Sequence, residues 1–359
     1  LRCLNYDALS VFNGCREEVG MEPEPPARRA ATRTDVAFHA RVSTAVVSYV
    51  VNNGPRNVAP ATRTRVLESI SVLGYRPNAA ARALKVGVTG LIGLVMPDST
   101  NPFFAEYAHA VEQAAAAKGL ATILVNSARD IDHERDLVHK LISRQVDGLL
   151  MAATDDDPEL TGAFESHIPV ILLNRAGPRQ GVRSIGVNFH EASLTAVNHL
   201  IGHGHRIIGL ISGETDATIT ADRERGWRDA LSNAGLAEGP VERDDFTREG
   251  GYHAGRRLLE LPIRPTAIYV ASDIQAVGLL RAIHEANLAV PGEIAVVSFD
   301  GSMESEFSWP PLTSMRQPVT RMAEAAIEAL SDPQYAPANH GQFSAELIVR
   351  QSCGCPTFH

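Results

Sequence analysis

From Gly90 onward the chain alternates short apolar runs with longer helical stretches, and this alternation constrains the fold more than any other feature. The runs are LIGLVM (91–96), ATILV (121–125), VDGLLM (146–151), IPVILL (168–173), IIGLI (207–211), TAIYVA (266–271) and IAVVSF (294–299). Continuous apolar runs suit parallel strands covered on both faces. Their alternation with helices over about 240 residues predicts doubly wound α/β architecture, and that length divides into two lobes more comfortably than it forms one.

Upstream the pattern is different. Apolar positions follow helical spacing in three short blocks, Asp35 to Ala40, Thr44 to Val51 and Ala61 to Leu73, before a Gly-Tyr-Arg-Pro stop at 74–77 and an Ala-rich segment, Asn78 to Lys85. Residues 32–85 carry eight Lys/Arg against Asp35 and Glu68, a balance of +6, whereas residues 86–359 carry 21 against 35 Asp/Glu, a balance of -14. The overall charge of -9 therefore conceals a basic module on an acidic body, as expected of a polyanion-binding segment. Residues 1–31 lack a sustained apolar stretch and are Pro-rich and charged from Glu22 to Arg29, so they read as a disordered or misassigned extension, with Met21 as a candidate start, and not as a secretory signal. No apolar run approaches the roughly 18 residues of a membrane helix. The cysteines, at 3, 15, 353 and 355, lie outside the body of the chain and cannot brace a core, which points to a reducing, cytoplasmic location.

The segment from Thr32 to Lys85 contains D-V-A-x-x-A-x-V-S, V-S-x-V-x-N, T-R-x-x-V, G-Y-x-P-N and A-R-x-L in order. In these motifs and their spacing it resembles the LacI/GalR family of bacterial transcriptional regulators, and the resemblance runs from about Thr32 to Ser352. It implies a helix-turn-helix whose second helix enters the major groove by its N-terminal half. Thr44, Ala45 and Tyr49 match the family's base-reading positions, whereas Ser43, Ser48, Asn52 and Thr62 match positions that hold phosphates. Only the first group should set operator preference, because phosphate contacts fix register without reading sequence. In the hinge, Asn78, Ala81 and Leu84 match DNA-contacting positions, and Leu84 matches a residue that wedges into the minor groove. Val36, Ala37, Val42, Val47, Val50, Val66 and Ile70 are expected in the core of the small domain.

Three departures from the family pattern matter physically. Arg41 replaces a turn glycine, and a positive φ there costs roughly 1 to 2 kcal/mol in a residue with a Cβ. Val46 and Tyr49 replace a common Thr and Arg; a tyrosine cannot make an arginine's bidentate contact to guanine, so an unusual operator is expected. Ala59 stands where a serine would cap the third helix, a loss of about 1 kcal/mol that Pro60 at the first turn partly offsets.

In open parallel sheets ligands bind beyond the carboxyl ends of the strands. Asp98, Asn126, Asn174 with Arg175, Asp273 and Asp300 follow apolar runs there, although helix capping would account for Asp98 and Asp300 especially. Such amides, carboxylates and a guanidinium suit a neutral polyhydroxylated effector such as a sugar. The resemblance adds Phe103, Phe104 and Phe246 as stacking residues, Arg223 and Asp273 as groups that hold hydroxyls or ring atoms, and Asn188 as a further polar position. The effector set is thus Phe103, Phe104, Asn126, Arg175, Asn188, Arg223, Phe246 and Asp273.

Enzyme readings fare poorly. Each of the three His-Glu pairs, at 133, 190 and 284, has Leu four residues after the His, so the His-Glu-x-x-His zinc motif is absent. Gly202-His203-Gly204-His205 precedes a strand where a phosphate loop must follow one. There is no G-x-S-x-G elbow, and Cys353-x-Cys355 alone supplies too few ligands, so neither a metal nor a cofactor is expected. The expected organisation is an extension at 1–31, a helix-turn-helix DNA-binding domain at 32–77, a hinge helix and linker at 78–89, a two-lobed, periplasmic-binding-protein-like effector and dimerisation domain at 90–352, and a tail at 353–359. The function this implies is a regulator, a repressor by preference, acting as a homodimer on a near-palindromic double-stranded operator under control of a small molecule. A solute-binding protein of the same two-lobed fold, or a sugar-modifying enzyme, is the alternative.

Overall fold

The computed structural model describes residues 29–52, 56–77, 87–152, 168–175, 183–213, 218–332 and 341–355. These fall into two compact units that divide between Ala81 and Arg82. Nearly all of the expected 1–31 extension, the hinge positions Asn78, Ala81 and Leu84, and the end of the tail lie outside the described residues.

The first unit is a trio of helices: α1 (Arg33–His39), α2 (Thr44–Val51) and α3 (Pro60–Leu73). A reciprocal capping box starts α1: the Thr32 hydroxyl accepts from the Asp35 N–H while the Asp35 carboxylate accepts from the Thr32 N–H at 2.7 Å. The turn into α2 places Arg41 at φ 53, the left-handed conformation expected where the family has glycine. Ala59 gives α3 no side-chain cap, and Gly74 ends it at φ 62. Val36, Ala37, Ala40, Val47, Val50 and Val66 are buried together, with Val42 and Ile70 partly buried against them.

The second unit holds two parallel-rich sheets. In the first lobe β1 (Leu91–Met96), β2 (Ala121–Asn126), β3 (Gly148–Met151), β4 (Val170–Leu173) and β5 (Arg183–Val187) pair in the order β5-β4-β3-β1-β2, with α4 (Pro102–Ala117) and α5 (Ile131–Ser143) between them. The chain then passes to the second lobe at Asn188. There α6 (Phe189–Gly202), β6 (Ile208–Ser212), α7 (Thr218–Asn233), β7 (Val241–Arg243), α8 (Arg248–Leu259), β8 (Ala267–Val270), α9 (Asp273–Glu285), β9 (Ala295–Asp300), α10 (Met303–Phe307) and β10 (Thr313–Arg316) build a sheet in the order β10-β9-β8-β6-β7. It crosses back at 317–318, so that α11 (Val319–Ser331) covers the first sheet and β11 (Gln342–Phe343) extends it beside β5. A third crossing takes it to β12 (Glu346–Ile348), antiparallel to β10. Every other pair in both sheets is parallel. Strands β3, β4, β6, β8 and β9 are buried throughout, as their continuous apolar runs require. Among the described residues no helix is long and apolar enough to cross a membrane.

Candidate functional site

In the first unit the side chains of α2 divide by face. Val47 and Val50 are buried in the trio, while Thr44 and Ala45 are exposed and Tyr49 is half exposed on the opposite side. Ser43 caps the helix by accepting from the Val46 N–H, and its hydroxyl proton remains to donate. At the other end the Asn52 amide donates to the Ser48 carbonyl at 3.0 Å and to its hydroxyl at 3.2 Å. Thr62 lies half exposed in the first turn of α3, at the positive end of the helix dipole, which favours an anion. The exposed arginines 33, 41, 56, 63 and 65 surround these positions in sequence and supply the positive field a phosphate backbone needs.

The second unit opens a cleft at the carboxyl ends of both sheets. Strand order reverses between β1 and β3 in one sheet and between β6 and β8 in the other, and the crevice beyond such a reversal is where open parallel sheets take ligands. Pro97 after β1, Ala152 after β3, Asn174 after β4, Ser272 after β8 and Asp300 at the end of β9 all line it. Phe103 and Phe104, at the start of α4, stand edge to face at 5.2 Å and form one apolar wall. Phe246 contributes from the other lobe. It presses against Gly213 so closely that an added Cβ would sit 2.2 Å from its ring, so any larger residue after β6 would have to displace the ring.

Arg223 of α7 is the charged centre of this cleft. Its guanidinium lies between the rings of Phe189 and Phe299, at 4.6 and 4.5 Å from their centroids, a stacking that suits a weakly hydrated cation. Nη2 is 3.6 Å from Asp300 Oδ1, and Nε, buried, has no hydrogen-bond partner. Burial pushes the Asp300 carboxyl up to about 8, with Arg223 pulling it down and Asp273 pushing it up again. Burial lowers the Arg223 pKa, and Asp300 offsets part of the effect. Asn174, at φ 55, leaves a buried Oδ1 without a partner. A donor and an acceptor thus wait unpaired in one cleft, an arrangement that a hydroxylated ligand satisfies.

The sequence of the first unit and the two-lobed second unit agree with known proteins. Residues 32–78 match bacterial regulatory proteins of the lacI family, and residues 197–353 match a periplasmic-binding-protein-like domain. Over 330 residues the chain is 34% identical to the HTH-type transcriptional repressor PurR of Photobacterium profundum, covering 90% of this chain and 98% of that one. The chain belongs to the LacI family. A structure of the Lac repressor dimer bound to operator and the anti-inducer ONPF superimposes with a TM-score of 0.82 at 26% identity, covering 90% of this chain and 99% of that one. The transcriptional regulator CelR in complex with cellobiose gives 0.68 at 30% identity and the same coverage. This LacI-family chain is a DNA-binding transcriptional regulator with a ligand-binding domain, and the solute-binding alternative falls away.

The regulator's cleft gathers half of the expected effector residues. Phe103, Phe104, Arg223 and Phe246 line it, whereas Asn126, Arg175, Asn188 and Asp273 do not. Asn126 spends its amide on the backbone and hydroxyl of Ser99. Arg175 is buried with its backbone against Gly186, and its neighbour Asn174 takes the place in the cleft. Asn188 stands at the first crossing between lobes, where it caps α6 through the Glu191 N–H. Asp273 accepts from Ser298 Oγ at 2.6 Å, Ser314 Oγ at 2.7 Å, and Ser302 N–H and Oγ at 2.7 and 2.9 Å. Its carboxylate is consumed inside the lobe. The carboxylate that faces the cleft is Asp300, for which the sequence pattern favours capping; Ser302 in fact precedes α10 and the Asp300 side chain accepts from Gln317 Nε2 at 3.0 Å. Arg129 also lines the cleft, and no sequence signal marks it.

Proposed function

We propose that this regulator represses transcription as a homodimer on a near-palindromic operator, in the cytoplasm, and that a neutral polyhydroxylated ligand, a sugar, sets its operator affinity from the interlobe cleft. Thr44, Ala45 and Tyr49 read bases; Ser43, Ser48, Asn52 and Thr62 hold phosphates. Phe103, Phe104 and Phe246 give the ligand apolar faces, while Arg223, Asp300 and Asn174 bind its hydroxyls. Asp273 acts behind them by fixing Ser298, Ser302 and Ser314 around the end of β9. The observation that carries the ligand class is the pairing of an unpartnered Arg223 Nε with an unpartnered Asn174 Oδ1 beside aromatic rings. Sugars present hydroxyls that donate and accept together with C–H faces that stack on rings, and CelR, a similar chain, holds cellobiose.

The reading is tested by calorimetric titration of a sugar panel into the full chain, followed by operator binding with and without the best ligand. A bound sugar that changes operator affinity by about 1 to 3 kcal/mol supports it. A panel without a binder, or a tight binder that leaves operator affinity unchanged, refutes it.

A further inference from the structure

Far from the cleft, the described end of the chain meets the C-terminal end of α6. His199 and His203 are one helical turn apart on that helix, His203 forming its C-cap. The C-terminal segment is drawn to them through Ser352: its carbonyl accepts from the Val296 N–H at 2.8 Å, and its hydroxyl accepts from the Thr313 N–H at 2.8 Å and donates to the Val296 carbonyl at 2.6 Å. Cys355 Sγ thereby lies 3.1 Å from His203 Nε2 and 3.6 Å from His199 Nε2. With Cys353 Sγ included, one donor atom from each of the four side chains falls within 4.8 Å of every other.

Hydrogen bonding alone explains this convergence badly, because a thiol is a weak donor and a weak acceptor. Coordination explains it well. Zn–S distances of about 2.3 Å and Zn–N distances of about 2.0 to 2.1 Å at tetrahedral angles place donor atoms about 3.4 to 3.8 Å apart. The observed separations bracket that spacing, so shifts on the order of 1 Å complete the tetrahedron. Two thiolates with two imidazoles form the donor set that selects zinc over magnesium or calcium. Thr313 Oγ1 donates to Cys353 Sγ at 3.0 Å, the kind of outer contact that orients a sulfur ligand. Cys353 is buried and His203 exposed, which leaves an entry path from solvent.

We propose that His199, His203, Cys353 and Cys355 bind one Zn(II) ion that clamps the C-terminal segment to the end of α6. Four protein ligands leave no open position, so the ion is structural and takes no part in effector chemistry. The His-Glu-x-x-His criterion passes over the site because it requires a glutamate beside the first histidine. The available signal is His199-x-x-x-His203, whose cysteine partner at 355 lies 156 and 152 residues away.

The test uses the full chain, purified under reducing conditions, stripped of metal and titrated with Co(II) alone. Expected are one cobalt per chain, a thiolate-to-cobalt absorption in the near ultraviolet, intense visible bands of tetrahedral geometry, and displacement of both by zinc. His203→Ala, at an exposed position, and Cys355→Ser should each weaken binding about 100-fold or more, beyond the loss typical of an outer contact. His205→Ala, whose imidazole bonds Thr266 instead, should leave it unchanged. A weak octahedral spectrum without the thiolate band, equal affinity in His203→Ala, or a mass lowered by two hydrogens from a Cys353–Cys355 disulfide would each overturn the proposal.

Discussion

Arg223 and Asp300 face each other at 3.6 Å with side chains only 6% and 5% exposed, yet neither is saturated by the other. A contact at that distance is too long for a strong direct hydrogen bond, so the guanidinium and the carboxyl group sit beside each other while leaving polar atoms for a third party. Removing one partner leaves the other buried without its neighbour, which costs about 1 to 3 kcal/mol for an unsatisfied polar group. Arg223→Gln should therefore destabilise the chain by about that amount, and Arg223→Gln with Asp300→Asn by less than the sum of the singles. Denaturant melts of the four proteins measure the coupling, and strict additivity would show that the pair does not interact.

The two carboxylates should separate by phenotype. Asp300→Asn keeps the shape of the side chain at a φ of 110, and it is expected to weaken ligand binding up to about tenfold, as loss of a hydrogen-bond partner worth about 0.5 to 1.5 kcal/mol implies. Asp273→Asn cannot accept all of its serine donors and should lower stability by about 1 to 3 kcal/mol while retaining more ligand affinity. The reverse pattern in paired melts and titrations would return Asp273 to the cleft.

The pH dependence follows from the same site. Burial raises the Asp300 carboxyl to about 8, against about 3.9 for an unfolded aspartate. Between those values the folded chain holds a proton that the unfolded chain has released, so this group's contribution to stability is present at low pH and falls as pH rises from about 4 to about 8. Asp35, Asp136 and Glu285, each held below its usual range chiefly by a side-chain hydrogen bond, contribute the opposite slope, lost in acid. The diagnostic is the difference: melting curves across that window should be flatter for Asp300→Asn than for wild type. Parallel curves would mean that Asp300 does not titrate there.

What is legible in the sequence is whatever depends on one-dimensional pattern. The buried apolar strands declare themselves, and so do the left-handed turn at Arg41 and the uncapped start of α3. Strand β10 does not, because Thr313-Ser314 replaces an apolar run with hydroxyls that serve Cys353 and Asp273 from inside the sheet. Asp273 is matched by its place in a motif. Its actual partners come from 25, 29 and 41 residues away, and no local signal reveals that they exhaust it. Asn174 and Asp300 are visible as strand-end polar residues and both sit at positive φ, yet Ser272 lines the same cleft from extended backbone, so which strand-end residue turns inward follows a local chain path that side-chain type alone does not encode.

On the DNA-binding unit, Ala59→Ser should supply the missing cap of α3, a gain of about 1 kcal/mol. Amide exchange over Pro60–Leu73 in the full chain would then slow about fivefold, and unchanged exchange would mean that Pro60 already fixes the entry to the helix. Tyr49→Arg should shift the selected operator toward guanine at the position it faces, while log affinity should fall with log salt by about 0.9 per phosphate contact in both proteins. Identical operators from selection experiments would remove Tyr49 from base reading.

Among the described residues two polar contacts tie the lobes across their interface. Arg129 Nη2 donates to the Phe246 carbonyl at 3.1 Å, its guanidinium 5.4 Å from that residue's ring centroid, and Glu106 Oε1 accepts from the Met303 N–H at 2.7 Å. Arg129 lines the cleft and Glu106 does not, so Glu106→Ala tests closure without touching ligand. A partly exposed hydrogen bond of this kind contributes about 1 kcal/mol, enough to shift an equilibrium between lobe arrangements about fivefold. If the ligand favours the tied arrangement, Glu106→Ala should lower its affinity by up to that factor and enlarge the ligand-free chain in small-angle scattering, since a ligand shifts the lobes only by its differential affinity for the two arrangements. Unaltered affinity and scattering would show that Glu106 does not bias the lobes.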